Sequence, residues 1–181
     1  MATLSAPAAL AHRWPTAVGA LAALGMILVD PDRTAVALVV AIATTCYVAA
    51  AVFARPWMAW AWIPLAFVVV VAGKLVDLAP MVATGVAAAA LVVVGLARPT
   101  TRPAVTLETA GLLVYGAFAV GALLLAPAVG LVVVALTLIA HGIWDVWHLR
   151  RHRDLVSPSL AEACIALDMP LGLAVLVATL A

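Results

Sequence analysis

The chain has 181 residues, of which 68% are hydrophobic and only 9% charged, and its net charge is +1. A soluble domain is about 45–50% apolar and about 25% charged, and a small fold leaves most of its residues in contact with water. The composition therefore excludes a soluble globular domain and a disordered chain, and the near-zero charge excludes a nucleic-acid binder. What it predicts is an all-α, polytopic integral membrane helix bundle forming one transmembrane domain over residues 1–181.

The N-terminal residues 1–15 have no basic stretch ahead of an apolar run, since His12 and Arg13 come after it, so no signal peptide is expected. Apolar runs bounded by charge or proline then follow at roughly 14–30, 34–53, 57–78, 80–97, 107–126, 129–149 and 159–180. A full span needs about 20 apolar residues. The first and fourth runs are short, so seven spans is the expected count and six the alternative. Asp30-Pro31-Asp32-Arg33, Arg55-Pro56, Pro80 and Pro127 make chemically sensible breaks. Alternating seven spans puts Arg13, Arg55, Arg98, Arg102, Arg150, Arg151 and Arg153 on one side, against Arg33 and Lys74 on the other. The positive-inside rule makes the arginine-rich side cytoplasmic, with the N-terminus inside and the C-terminus outside. Trp14, Trp57, Trp144 and Trp147 fall near that same interface, as an aromatic belt would. The expected location is the cell membrane, as a multi-pass protein.

Cys46 and Cys164 lie in apolar stretches without a CxxC motif, which argues against a redox or zinc-knuckle role. No internal repeat is visible, which weakens an inverted-repeat transporter reading.

Ionisable groups at membrane depth are costly and mark candidate sites. The sixth span ends in the pattern HxxxDxxHxxxH, made by His141, Asp145, His148 and His152. At about 100° per residue these side chains share one narrow helical stripe. Imidazole and carboxylate at such spacing suit zinc or iron, so His141, Asp145 and His148 are the expected metal ligands. Alternatively the carboxylate orients a ligating imidazole, or the stripe faces a solvated vestibule. His152 reads as loop. In the seventh span, Ser159 and Glu162 read as a capping box. Asp168 has no such explanation, since it lies about 13 Å deep by helical rise. It shares a face with Cys164 and sits beside Pro170. The short loop between the last two spans makes them antiparallel neighbours, so His141, Asp145, His148 and Asp168 are expected to meet.

Glu108 opens the fifth span, where an acid in a first turn suits the helix dipole; its alternative role is in the same cluster. Tyr115, on roughly the same face, is a candidate hydrogen-bond donor into the cavity. The candidate catalytic residues are thus Asp145, Asp168, Glu108 and Tyr115. Lys74 and Asp77 read as an i, i+3 ion pair, and Asp30 and Asp32 as helix-end residues. Thr44, Thr45 and Tyr47 receive no role.

These features imply a membrane-embedded enzyme with a cytoplasmic-side His/Asp site acting on a lipid or isoprenoid. With zinc or iron it would be a hydrolase or oxidoreductase. Without metal, a buried Asp would donate a proton in an isoprenoid cyclase or isomerase. A small proton-coupled transporter is the third reading. The implied partners are the lipid bilayer and a hydrophobic small-molecule substrate. Seven spans with His and Asp chemistry invite comparison with the seven-helix zinc hydrolases of the alkaline ceramidase and adiponectin-receptor superfamily. Those proteins carry a His pair in the last span and a His in the second. Here the histidines lie in the sixth span, so no residue is carried over.

Overall fold

A computed structural model describes residues 13–181. Of residues 1–15, read as no signal peptide, residues 1–12 lie outside these described residues. Seven helices make up the described chain: α1 (Trp14–Leu28), α2 (Arg33–Phe53), α3 (Met58–Leu75), α4 (Pro80–Leu96), α5 (Arg102–Leu124), α6 (Pro127–Arg151) and α7 (Pro158–Leu180). There is no strand among the described residues. Five helices, α2, α3, α5, α6 and α7, are long and apolar enough to cross a membrane. The shorter two, α1 and α4, are those that the sequence marks as short.

The helices start where proline allows. Proline stands at the first or second position of α1, α4, α5, α6 and α7, where its missing N–H would have no intrahelical partner anyway. Asp32 caps α2, its carboxylate accepting from the Ala35 N–H at 2.7 Å. Asp30 and Asp77 take positive φ values of 49° and 59° in the turns after α1 and α3, a conformation that aspartate tolerates.

Helix α2 is the axis of the bundle. Buried residues make up 72% of its apolar stretch, against 28% in α3 and 22% in α5. Its alanines, threonines and valines let neighbouring backbones come close, the usual basis of helix packing in lipid. Around it run α3, α4, α5, α6, α7 and α1 in that order, each packed on the next. The pair α6–α7 is the most extensive contact in the molecule. It is close because of Gly172, where a Cβ would lie 2.9 Å from the Ala135 carbonyl oxygen. The outer faces expose Leu21, Phe67, Val86, Leu113, Phe118 and Leu173, an apolar mantle suited to lipid rather than water.

The helix ends fall into two sets. At one end Arg13 pairs with Glu162 at 3.4 Å, Trp14 packs on Trp60 with ring centroids 5.2 Å apart, and the Trp60 indole N–H donates to Ser159 Oγ at 3.0 Å. At the opposite end Arg33 donates to the Leu125 carbonyl. The loops and helix ends carrying Arg55, Arg98, Arg102 and Arg150 to Arg153 belong to the first set.

Three expectations are corrected. Helix α7 begins at Pro158 after Ser157, and no side chain caps it, so Ser159 and Glu162 form no capping box. Glu162 instead accepts from Thr16 and pairs with Arg13, tying α1 to α7. Helix α5 begins at Arg102, earlier than expected, because Pro103 starts it; Glu108 therefore lies beyond the first turn and is 2% exposed. Among the described residues Lys74 and Asp77 form no ion pair, because the chain leaves its helix at Val76 and turns Asp77 away.

Candidate metal centre

The centre is built from α6, α7 and α2. Helix α6 carries His141 and Asp145 one turn apart, and α7 presents Asp168 to them. All three are fully buried, at 0% exposure. His141 Nδ1 lies 2.7 Å from Asp168 Oδ2 and 3.4 Å from Asp145 Oδ2. A carboxylate oxygen accepts, so Nδ1–H donates to Asp168, and Nε2 is left without a partner. By helical rise the centre lies about 15 Å from the arginine-rich end of α6.

What marks this group is its unmet bonding. His141 Nε2, Asp145 Oδ2 and Asp168 Oδ1 are buried and have no hydrogen-bond partner. An unpartnered polar atom in an apolar interior costs about 1–3 kcal/mol, more if charged. Three from one cluster call for a common ligand. His141, Asp145 and Asp168 can each offer one ligand atom, all within 4.8 Å of one another. One imidazole nitrogen and two carboxylate oxygens are a donor set that could hold a metal ion. The bond from His141 to Asp168 is the kind that fixes the tautomer of a ligating imidazole.

Tyr47 of α2 completes the centre, and the sequence reading gave it no role. It is 1% exposed and its hydroxyl donates to Asp145 Oδ1. The available signal was its position: α2 is otherwise aliphatic and small up to Phe53, and a buried tyrosine hydroxyl needs a partner. Replacing Tyr47 with phenylalanine is expected to lower stability by about 1.5–3 kcal/mol, the worth of a hydrogen bond to a charged group. A lowered unfolding midpoint in detergent would show it.

His148 does not join this cluster. Its Nε2 lies 2.8 Å from Glu108 Oε1, and its Nδ1–H donates to the Trp144 carbonyl at 3.1 Å. Both ring nitrogens are thus occupied. The Tyr47 ring stands between the two histidines, 4.8 Å from the His148 centroid and 5.7 Å from that of His141. One stripe of α6 therefore serves two partners, α7 through His141 and Asp145, and α5 through His148. The His148–Glu108 pair holds a shared proton, because a carbonyl already takes the hydrogen on Nδ1. Aromatic rings wall it in, with Trp144 and Trp147 at 5.0 and 4.9 Å. His152 ends α6, packed on Trp147. Tyr115 donates to the Ala140 carbonyl at 3.3 Å and meets His141 edge-on at 5.2 Å, so it supports the imidazole with its ring.

No protein-family model, curated protein or solved structure matches this chain. The functional reading therefore rests on the geometry.

Proposed function

We propose that the protein is a seven-span membrane enzyme, N-terminus inside, that binds one zinc or iron ion at His141, Asp145 and Asp168 and acts on a lipid or isoprenoid. The observation that carries this reading is the fully buried group of His141, Asp145 and Asp168, which can offer three ligand atoms within 4.8 Å of one another while each residue also keeps a polar atom without a hydrogen-bond partner. A metal bound there would act as a Lewis acid toward water and an ester or amide carbonyl, or, if iron, toward oxidation. The chain's own residues hold the site in shape. Asp168 accepts the His141 Nδ1–H and Tyr47 donates to Asp145.

The distribution of polar groups supports a site over a conduit. Toward the end bearing Lys74 and Asp30, the interior beside the centre includes Val36, Val40, Val134, Leu138, Leu171 and Val175, and the buried Thr44 and Thr137 hydroxyls there donate to carbonyls of their own helices. A proton-coupled transporter needs polar stations through such a layer. A second reading has one specific observation in its favour. Both carboxylates lie within reach of the same His141 nitrogen, which carries at most one proton. Without metal, Asp145 and Asp168 would hold the remaining proton between them and could deliver it to an alkene.

Elemental analysis of the purified, tag-free protein tests the proposal. Wild type is expected to carry about one ion per chain, His141→Ala none, and His148→Ala the wild-type amount, as a three-ligand site requires. A wild type that stays empty after loading with zinc and with ferrous iron would remove the metal reading and leave the acid–base one.

A further inference from the structure

The chain holds only two tyrosines, and both pack against His141. The Tyr47 centroid lies 5.7 Å from that of His141, and Tyr115 meets it edge-on at 5.2 Å. From these two rings, aromatic contacts run without a break toward the arginine-rich end. Tyr115 meets Trp144 at 6.2 Å, and Trp144 meets Trp147 at 4.7 Å. Trp147 is partly exposed and meets His152 at 4.1 Å, where α6 ends. Tyr47 joins the same series through His148, whose ring lies 4.8 Å from Tyr47 and 5.0 and 4.9 Å from Trp144 and Trp147.

Packing accounts for each contact taken singly, since aromatic pairs settle at centroid distances of about 4.5–7 Å. An aromatic belt accounts for Trp144 and Trp147, which lie toward the membrane surface. Neither accounts for Tyr47, which is buried beside the centre with its hydroxyl bonded to Asp145. Indole and phenol rings release single electrons more readily than phenyl or aliphatic groups. A phenol does so most easily when its hydroxyl proton has an acceptor. Tyr47 has one in Asp145 Oδ1, whereas the Tyr115 hydroxyl donates to a carbonyl, which takes up no proton.

We propose that Trp147, Trp144 and Tyr47 form an electron path from the arginine-rich end to the buried centre, with Tyr47 as the inner station. Each passage moves one electron. Tyr47 yields it to the oxidised ion, and its hydroxyl proton passes to Asp145. Tyr47 then takes an electron from Trp144 and recovers the proton. Trp144 is refilled from Trp147, and Trp147 from a one-electron reductant in the water. Use of the path at a metal rests on the enzymatic reading above and narrows it. Zinc has no redox chemistry, so the ion is iron and the enzyme an oxidoreductase.

The test needs no metal. A ruthenium polypyridyl group is attached to the purified full-length protein through Asp154→Cys, an exposed position after α6, while Cys46 and Cys164 are buried. Flash excitation with a soluble cobalt(III) quencher oxidises the label, which draws an electron from Trp147. Electron paramagnetic resonance of freeze-quenched samples then tells a tyrosyl from a tryptophan radical. The labelled protein is expected to end with a tyrosyl radical. Adding Trp144→Phe and Trp147→Phe together keeps six-membered rings, removes both indoles and is expected to abolish that signal. Trp60→Phe, whose ring packs on Trp14 outside the path, is expected to leave it unchanged. Tyr47→Phe is expected to strand the radical on tryptophan. A radical that stops on tryptophan in the labelled protein would overturn the proposal. So would a tyrosyl signal that survives loss of both indoles or of Tyr47. The double tryptophan variant decides the matter if Tyr47→Phe does not fold. Iron content of the same preparations separates the two claims. A tyrosyl radical in a protein that binds no iron would keep the path and remove the metal enzyme. Bound iron without a tyrosyl radical would keep the metal centre and remove the path.

Discussion

Replacing Asp168 with alanine is expected to abolish metal binding and to lower stability by about 3–5 kcal/mol. Asp168 accepts the His141 Nδ1–H at 2.7 Å inside a fully buried cluster, so its removal strands a polar imidazole in an apolar interior. Nothing nearby compensates: His148 is committed to Glu108, and Tyr47 to Asp145. Asp168→Asn separates the two effects. It keeps the size and one acceptor, so it is expected to retain most of the stability while still losing the metal, because a neutral amide is a poor zinc or iron ligand. Detergent unfolding midpoints together with metal content measure both. A well-folded, metal-replete Asp168→Ala protein would show that the aspartate is a bystander.

The second large effect concerns His148 and Glu108. Either single change, His148→Leu or Glu108→Leu, leaves one buried polar partner unmatched and is expected to cost about 3 kcal/mol or more. The double variant removes both partners and leaves apolar residues in an apolar layer beside Trp144 and Trp147. It is expected to recover most of that loss, since replacing a buried ion pair with well-packed apolar residues is often neutral or stabilising. With about 3 kcal/mol lost in each single variant and about 1 kcal/mol in the double, the double-mutant cycle gives a coupling energy of about 5 kcal/mol. Metal content should not change across the cycle, because neither residue belongs to the cluster of His141, Asp145 and Asp168. Strictly additive losses would mean that His148 and Glu108 act apart from each other.

Much of this architecture is legible in the sequence because lipid leaves few options. Backbone polar groups in hydrocarbon must be satisfied within a helix, so apolar runs between prolines and charges read directly as helices. All seven expected runs correspond to helices, with ends displaced by a few residues. The meeting of His141 with Asp168 is legible for a similar reason: a short connection after Arg151 forces α7 back along α6, at matching depths. Three details are not legible. A helical stripe fixes the direction of its side chains to within tens of degrees, but the centre of α6 touches α7 and its last turns touch α5. His148 therefore shares the stripe of His141 without sharing its partners. Tyr47 stands out in α2 as a tyrosine among small and aliphatic residues, but its partner Asp145 depends on how α2 sits against α6, a tertiary fact that no local pattern carries. Glu162 fits a capping pattern, yet Pro158 starts the helix two residues earlier than the Ser159 cap requires, and the carboxylate reaches α1 instead.

The number of imidazoles bound to the metal distinguishes the ligand set of the folded chain from the one the sequence stripe suggests. X-ray absorption at the metal edge of the loaded protein measures it directly. A centre made by His141, Asp145 and Asp168 predicts a first shell of oxygen with a single imidazole, unchanged in His148→Ala and absent in His141→Ala. Two imidazoles in the shell, or a spectrum that survives His141→Ala, would contradict the account.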